Sequence, residues 1–291
     1  MEKYQTIEHS IITKFRPTIY RLFVRAIDEY KLIKDGDKVA VCISGGKDSM
    51  LLAKCMEEFQ KHGPIEFEAI YLCMNPGYSE KHLKELTDNA KLLNIPLDIF
   101  ETNIFDVVHD IKESPCYLCA RMRRGYLYAN AKKRGCNKIA LGHHFDDVIE
   151  TVLMSMIYGA EYKTMMPKLP SENYPGLELI RPLYLVKEEN IIKWAKYNEL
   201  KFLQCACRFT EENHSDEQNK SKRKEIKALV AQLRNNYPNS DINIFRSFHD
   251  VNLNTIVGYH NDKMHYNFLD DYDINAKDLI RKAERKEYVA R

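Results

Sequence analysis

Apolar positions follow two rhythms along this chain, one of helical period and one of short unbroken runs, and they alternate. From about Thr13 to Tyr30 the apolar residues Phe15, Ile19, Leu22, Phe23, Ala26 and Ile27 recur at helical spacing, which predicts an N-terminal helix. After the turn Asp35-Gly36-Asp37, Lys38 to Ile43 is a short, nearly all-apolar run that suits a parallel strand buried on both faces. A helix from Asp48 to about His62, a strand over Phe67 to Cys73 and a helix from Ser79 to Leu93 follow, with Ser79 as its cap. The pattern then predicts a strand over Pro96 to Phe100 and a long helix over Cys119 to Arg134. A strand over Lys138 to Leu141 and a helix from about Phe145 to Tyr158 come next. Pro167, Pro170, Pro175 and Pro182 mark a looser segment, after which helices are predicted over Lys187 to Leu200 and about Asp216 to Arg234.

Strands alternating with helices of this length predict an α/β fold, a doubly wound and mostly parallel sheet with helical additions at both ends. The expected division is an N-terminal helical segment (1–35), the α/β domain (36–200), a cysteine-bearing helical part (201–270) and a polar tail (271–291). The length, 291 residues, suffices for one large α/β domain with such additions. A net charge of +2 decides nothing about nucleic acid, so that question rests on local clustering. No apolar run approaches the roughly 20 residues that span a bilayer, and no apolar signal-peptide core opens the chain. The expectation is a cytoplasmic protein with no membrane partner. Disulfides are rare in that compartment, so clustered cysteines among the eight point to metal or catalysis. Cys42, Cys55 and Cys73 fall in apolar patterns and read as packing residues, and Cys136, beside Gly135 at a helix end, carries no special role.

The first apolar strand runs into Ser44-Gly45-Gly46-Lys47-Asp48-Ser49 and then into a helix. In an open parallel sheet ligands bind where strand C-termini meet helix N-termini. Two glycines let the backbone wrap an anion, the helix N-terminus offers free N–H groups, and Lys47 with the Ser44 and Ser49 hydroxyls adds donors. The P-loop of ordinary NTPases is excluded, because the positions where it needs Gly and Ser/Thr hold Val41 and Asp48. The hexapeptide resembles instead the pyrophosphate loop of the N-type ATP pyrophosphatases, which cleave ATP to AMP and pyrophosphate.

A second segment, Leu141-Gly-His-His-Phe-Asp-Asp147, sits at the end of the fourth strand and can face the same crevice. Gly142 permits close approach to a nucleotide, with His143 beside it. Asp146 and Asp147 are natural Mg²⁺ ligands, or orient the attacked group, together with Asp48. The plain alternative makes them a helix cap and first turn, where acids are favourable anyway.

Cys116-Tyr-Leu-Cys119 opens a helix, and Cys205-Ala-Cys207 follows another. Such cysteines serve zinc sites, redox pairs and iron–sulfur sites alike. A redox pair leaves Cys205 and Cys207 unexplained, while Cys-x-Cys is tight for half of a zinc knuckle.

The stretch Cys116-Tyr-Leu-Cys-Ala-Arg-Met-Arg-Arg-Gly-Tyr-Leu-Tyr128, then Lys138-Ile-Ala-Leu-Gly-His-His-Phe-Asp-Asp-Val-Ile-Glu-Thr151, then Tyr158-Gly-Ala and Met166-Pro-Lys-Leu169, resembles the tRNA 2-thiocytidine synthetase (TtcA) family of the PP-loop superfamily. Arg181-Pro-Leu and the helix ending Arg234-Asn-Asn-Tyr-Pro238 fit as well, and the likeness covers roughly residues 15 to 270. It implies an adenine nucleotide alpha hydrolase-like fold and a [4Fe-4S] cluster held by Cys116, Cys119 and Cys205, with ATP and Mg²⁺ as cofactors. It also implies tRNA as substrate, a cysteine desulfurase or other sulfide donor as partner, and a homodimer, for which the sequence marks no interface. One departure stands out: the family usually has Cys-x-x-Cys at the third position, where this chain has Cys205-Ala-Cys207 and an acidic insertion.

Arg121, Arg123, Arg124, Lys132 and Lys133 form a one-signed run beside the cysteines, suited to tRNA phosphates, against the bland alternative of a solvated helix face. Lys220, Lys222, Arg223, Lys224 and Lys227, interleaved with acids, point to RNA more weakly. The expected reaction is adenylation of a base carbonyl, at C2 of a cytidine in the anticodon loop, followed by its replacement with sulfur. Three rivals use the same loop: a 2-thiouridine synthetase, a lysidine-type ligase that does not need the cysteines, and a zinc-bearing nucleotide-binding regulator.

Overall fold

The computed structural model describes residues 2–105, 115–202, 217–273 and 277–278. They fall into two compact units, one ending at Asp241 and one beginning at Ile242.

The first unit is built on a six-stranded sheet of order β3-β2-β1-β4-β6-β5. Its strands are β1 (Lys38–Ile43), β2 (Glu68–Asn75), β3 (Leu97–Glu101), β4 (Lys138–Ala140), β5 (Lys168–Pro170) and β6 (Glu178–Ile180). All neighbours pair in parallel except β5, which runs antiparallel along β6. The α/β expectation is met, because the fully apolar β1 run has helices to bury it on both sides. Helix α3 (Lys47–His62) packs on β1 and β2, and α5 (Pro115–Lys133) packs on β2 and β4. The period of two divides β1 between them: Ala40 and Cys42 join Tyr128, Ala131, Cys136 and Ile139 in one apolar cluster. The intervening Val39, Val41 and Ile43 are buried as well.

Burial pushes the thiols of Cys42 and Cys73 up to about 12 and that of Cys136 up to about 11, so these cysteines are packing groups rather than nucleophiles. Helix α4 (Glu80–Leu92) opens on Ser79, whose Oγ accepts the His82 N–H.

Two features differ from the sequence-based expectation. The N-terminal apolar stretch is not one helix. It comprises α1 (Lys3–Ile12), a π-helical turn (Arg16–Tyr20) and α2 (Arg21–Glu29). Pro17 carries no N–H and breaks the ladder, and the wider turn closes with Tyr20 N–H on Phe15 O at 3.4 Å. The proline-rich segment holds β5 and β6, three residues each, too short for periodicity to register; Pro170 is tolerated because β5 is an edge strand.

Helices α6 (Phe145–Gly159), α7 (Glu188–Tyr197) and α8 (Glu217–Asn236) complete the unit, with α8 lying along α6. A further helix, α9 (Ser240–Ser247), spans the division between the units. The second unit contains a hairpin of β7 (Gly258–His260) and β8 (His265–Asn267), with Tyr259 stacked on Tyr266 at 4.9 Å. No described helix is long and apolar enough to cross a membrane.

Candidate active site

Strand order reverses at β1, with β2 on one side and β4 on the other, so the crevice beyond their C-terminal ends is the expected ligand site. Both predicted loops open there. The glycine loop leaves β1 with Gly45 at φ +85°, a left-handed conformation that suits glycine, and α3 begins at Lys47. Ser49 closes the loop: its Oγ accepts the Ser44 N–H at 3.2 Å and donates to Gly46 O at 3.0 Å. Its hydroxyl therefore braces the loop, while that of Ser44 lies 3.2 Å from it.

Gly142, at the end of β4, presses against this loop. A Cβ there would come within 3.1 Å of Asp48 C and Ser49 N, tighter than backbone tolerates without moving. The absence of a side chain at 142 thus lets the two loops meet.

Four acids face this junction. Asp48 is partly buried; burial raises its pKa, against the opposing pull of His144 and Lys47. Its Oδ1 is buried with no hydrogen-bond partner, and His144 Nε2 stands 3.8 Å away. Lys47 Nζ bridges Asp48 Oδ2 at 3.2 Å and Glu188 Oε1 at 3.1 Å. Burial would raise Glu188, but Lys227 and Lys47 pull it down to about 2.

The other two acids are held by the start of α6 and by α8. His144 caps α6 in a reciprocal box with Asp147: Asp147 Oδ2 accepts the His144 N–H at 3.0 Å, and His144 Nδ1 faces the Asp147 N–H. Asp147 Oδ1 also meets Arg223 Nη2 at 2.7 Å, while Arg223 Nε donates to Glu150 at 3.0 Å. Asp146 is buried, accepting the Glu188 N–H at 2.6 Å and pairing with Arg234 Nη1 at 2.7 Å. His143 lies beside them with a buried Nδ1 that has no partner. Burial holds its pKa down to about 4, Asp147 opposing and Arg181 and Arg223 adding to the fall.

Helix α5 runs toward β4, so its N-terminus opens on the same end of the sheet. Cys119 is buried there among Met74, Ile104 and Phe105, and Met74 belongs to the C-terminal end of β2. Cys116 lies three residues earlier on α5, and Cys205 and Cys207 fall outside the described residues. Among the basic residues of α5, Arg121 and Arg124 are exposed near this end and Arg123 stacks on Phe105 at 5.4 Å. Lys132 and Lys133 lie roughly 12 to 18 Å farther along the axis, where Lys132 Nζ donates to Pro175 O at 3.2 Å.

Sequence reasoning did not anticipate Glu188 as the partner of Lys47, or Arg223 and Arg234 as partners of Asp147 and Asp146. The only sequence signal of the two arginines was the interleaving of basic and acidic positions along α8, which solvated helices show equally. Arg181, directly after β6, was noted only as part of a motif. It is 9% exposed, and its Nε is buried without a partner.

The groups present fit a nucleotide phosphate with its metal ion. A glycine turn at a helix N-terminus lies beside a lysine, and a carboxylate oxygen without a partner points into the same junction.

Residues 18–233 match the model of the PP-loop domain. The chain belongs to the PP-loop family, in keeping with the glycine loop and its sheet. A tRNA-cytidine(32) 2-sulfurtransferase of Vibrio campbellii is 34% identical over 94% of this chain and 88% of its own length. One of Hahella chejuensis is 35% identical over 82% of each chain. Within the PP-loop proteins, then, this chain belongs to the tRNA-cytidine(32) 2-sulfurtransferase family. In structure it resembles the U34-tRNA thiolase NcsA from Methanococcus maripaludis with its [4Fe-4S] cluster. The TM-score is 0.62 at 23% identity, over 79% of this chain and 76% of that one, a likeness of fold.

Proposed function

We propose that the chain is an ATP-dependent tRNA sulfurtransferase that exchanges the C2 carbonyl oxygen of a cytidine in the anticodon loop for sulfur. The observation that carries this is the seating of buried Cys119 against Met74 at the end of β2, beside the strand that feeds the glycine loop. A cysteine-bearing helix thus opens on the edge of a nucleotide crevice, and membership of the sulfurtransferase family supports the same conclusion.

In this mechanism Ser44 to Ser49 hold the β and γ phosphates of ATP through backbone N–H groups and Lys47. Asp48, with its Oδ1 unpartnered among the described residues, would hold Mg²⁺, which would neutralise charge on the departing pyrophosphate. Asp146 and Asp147 keep the His143–His144 turn in place through their arginine and backbone partners. The base carbonyl oxygen attacks the α-phosphorus, the bond to the β-phosphate breaks, and pyrophosphate leaves. Sulfide, as HS⁻, then attacks C2 and gives up its proton, the C–O bond breaks, and AMP departs carrying the old oxygen. His143, held neutral, offers a hydrogen bond without adding charge beside the adenylate. Arg121, Arg123 and Arg124 meet tRNA phosphates at the mouth, and Lys132 and Lys133 extend the same helix away from it.

Cys119 stands in the opening turns of α5, and a helix N-terminus favours the thiolate form that a soft metal centre takes as ligand. Cys116, Cys119 and Cys205 would hold a [4Fe-4S] cluster, whose iron supplies a site for sulfide. We place the protein in the cytoplasm, acting as a homodimer, with a cysteine desulfurase or other sulfide donor upstream.

Comparing thionucleosides in tRNA from cells with and without the protein tests the activity and names the base. Loss of 2-thiocytidine is expected, and unchanged thionucleosides would overturn the proposal. Anaerobically purified protein should show iron–sulfur visible absorbance. Cys116→Ala should remove that absorbance and activity while ATP binding persists, and a colourless zinc protein would sink the cluster assignment.

A further inference from the structure

Arg181 is the first residue after β6, one register step beyond the Ala140–Ile180 pair, so it flanks the Gly142–His143 turn. Its backbone N–H donates to Pro167 O at 2.9 Å, and one guanidinium nitrogen, Nη1, donates to Met166 O. Its Nε is buried and has no partner, and no described carboxylate lies within ion-pair distance. Asp147, which acts on it electrostatically, is already paired with Arg223 at 2.7 Å. A second guanidinium lies on the neighbouring helix. Arg124 stands one helical turn before Tyr128 of α5, and Tyr128 packs in one apolar cluster with Leu179 of β6, the strand that leads into Arg181. Arg124 also acts on Arg181 as a like charge. Burial, with Arg124 adding to the effect, brings the Arg181 guanidinium down to about 10.

A guanidinium this deep is costly unless an anion or a full set of acceptors meets it, and here the protein supplies only one described carbonyl. The glycine loop is not the place of that anion. It follows β1, and β6 stands two strands away across β4, about 10 Å at ordinary strand spacing.

We propose that Arg181 and Arg124 form a second phosphate-binding subsite, separate from the glycine loop, that takes either a phosphodiester of the substrate RNA or the α-phosphate of the bound nucleotide. The guanidinium fork suits the oxygens of a phosphate. Of the two sources, the RNA phosphodiester fits better, because Arg124 is exposed on the α5 face that carries Arg121, while Arg181 is buried beside the Gly142–His143 turn. The subsite would then grip the strand beside the target base and fix its carbonyl over the α-phosphorus. This source rests on the tRNA proposal above; the nucleotide source does not.

The test uses the full chain and two independent variants, Arg181→Gln and the exposed Arg124→Gln, whose fold is not at stake. Affinity for unmodified tRNA is measured by fluorescence anisotropy across a salt series, and affinity for AMP by calorimetry. Expected are a loss of tRNA affinity of about tenfold for each variant and a salt slope shallower by roughly 0.7 to 0.9 per lost contact, with AMP affinity within twofold. Weaker AMP binding with tRNA affinity intact would keep the subsite but assign its phosphate to the nucleotide. If native protein binds AMP but no tRNA, the tRNA proposal fails while the AMP comparison still decides the subsite. Native affinities for both ligands in both variants would overturn it.

Discussion

Lys47 Nζ lies 3.1 Å from Glu188 Oε1, so the lysine of the glycine loop is neutralised by a residue from the first turn of α7, far away in sequence. The carboxylate sits where an incoming phosphate would compete for the same ammonium. Lys227 Nζ, at 2.6 Å, gives Glu188 a second partner to fall back on.

Glu188→Gln should therefore tighten pyrophosphate and ATP binding by about two- to fivefold, the worth of a partly buried ion pair that Lys227 shares. Calorimetric titration with pyrophosphate checks this; an unchanged or weaker affinity would mean Glu188 supports the loop rather than competes with its ligand.

Gly142→Ala probes the meeting of the two loops. The new Cβ would stand 3.1 Å from backbone atoms of Asp48 and Ser49. Backbone cannot swing aside as a flexible side chain does, so the glycine loop must shift. Adenylation, followed as tRNA-dependent pyrophosphate release, should fall on the order of 100-fold, with α/β content by circular dichroism retained.

Arg234 joins buried Asp146 to buried Asp241, at 2.7 and 2.8 Å. Arg234→Ala removes one cationic partner from each of these buried carboxylates, while the Glu188 N–H still donates to Asp146 and Lys187 still pairs with Asp241. A loss of about 3 kcal/mol is expected, or roughly 6 to 12 °C in a thermal melt. Arg234→Lys should recover part of it.

His143 has a pKa near 4 in the folded chain, against about 6.5 unfolded. Because the unfolded state binds the proton more readily in that window, the contribution of His143 to stability rises with pH from about 4 to 6.5 and is constant above. His143→Gln should flatten that limb, seen by comparing melting temperatures of the two proteins near pH 5 and near pH 7.5. Equal pH dependence in both would refute a neutral, buried His143.

Trp194, the single tryptophan of the chain, is fully buried and stacks on Phe202 at 6.2 Å, three residues before Cys205 in sequence. Its emission should be quenched when the cluster is reconstituted anaerobically, and the quenching should vanish in Cys205→Ala. If Cys207→Ala abolishes it instead, Cys207 is the third ligand.

Much of this was legible in the sequence because it is local. The run Val39 to Ile43, the Gly45-Gly46 turn and the opening of α3 are adjacent in the chain, and short-range sterics determine that a buried strand, a wrapped loop and a helix N-terminus succeed one another. Cysteine spacing and the His143–Asp147 segment were legible for the same reason, and they led to the family. What only the tertiary structure decided is which charges meet. Glu188 reaches Lys47, Arg223 and Arg234 reach Asp147 and Asp146, and Arg181 has no carboxylate partner among the described residues, because β6 and α8 are brought beside β4 and α6 from far along the chain. Periodicity cannot register such pairings: an arginine on α8 looks the same whether its face meets water or a buried acid. That difference is set by folding, and it decides which site acids are already held and which oxygen of Asp48 has no partner among the described residues.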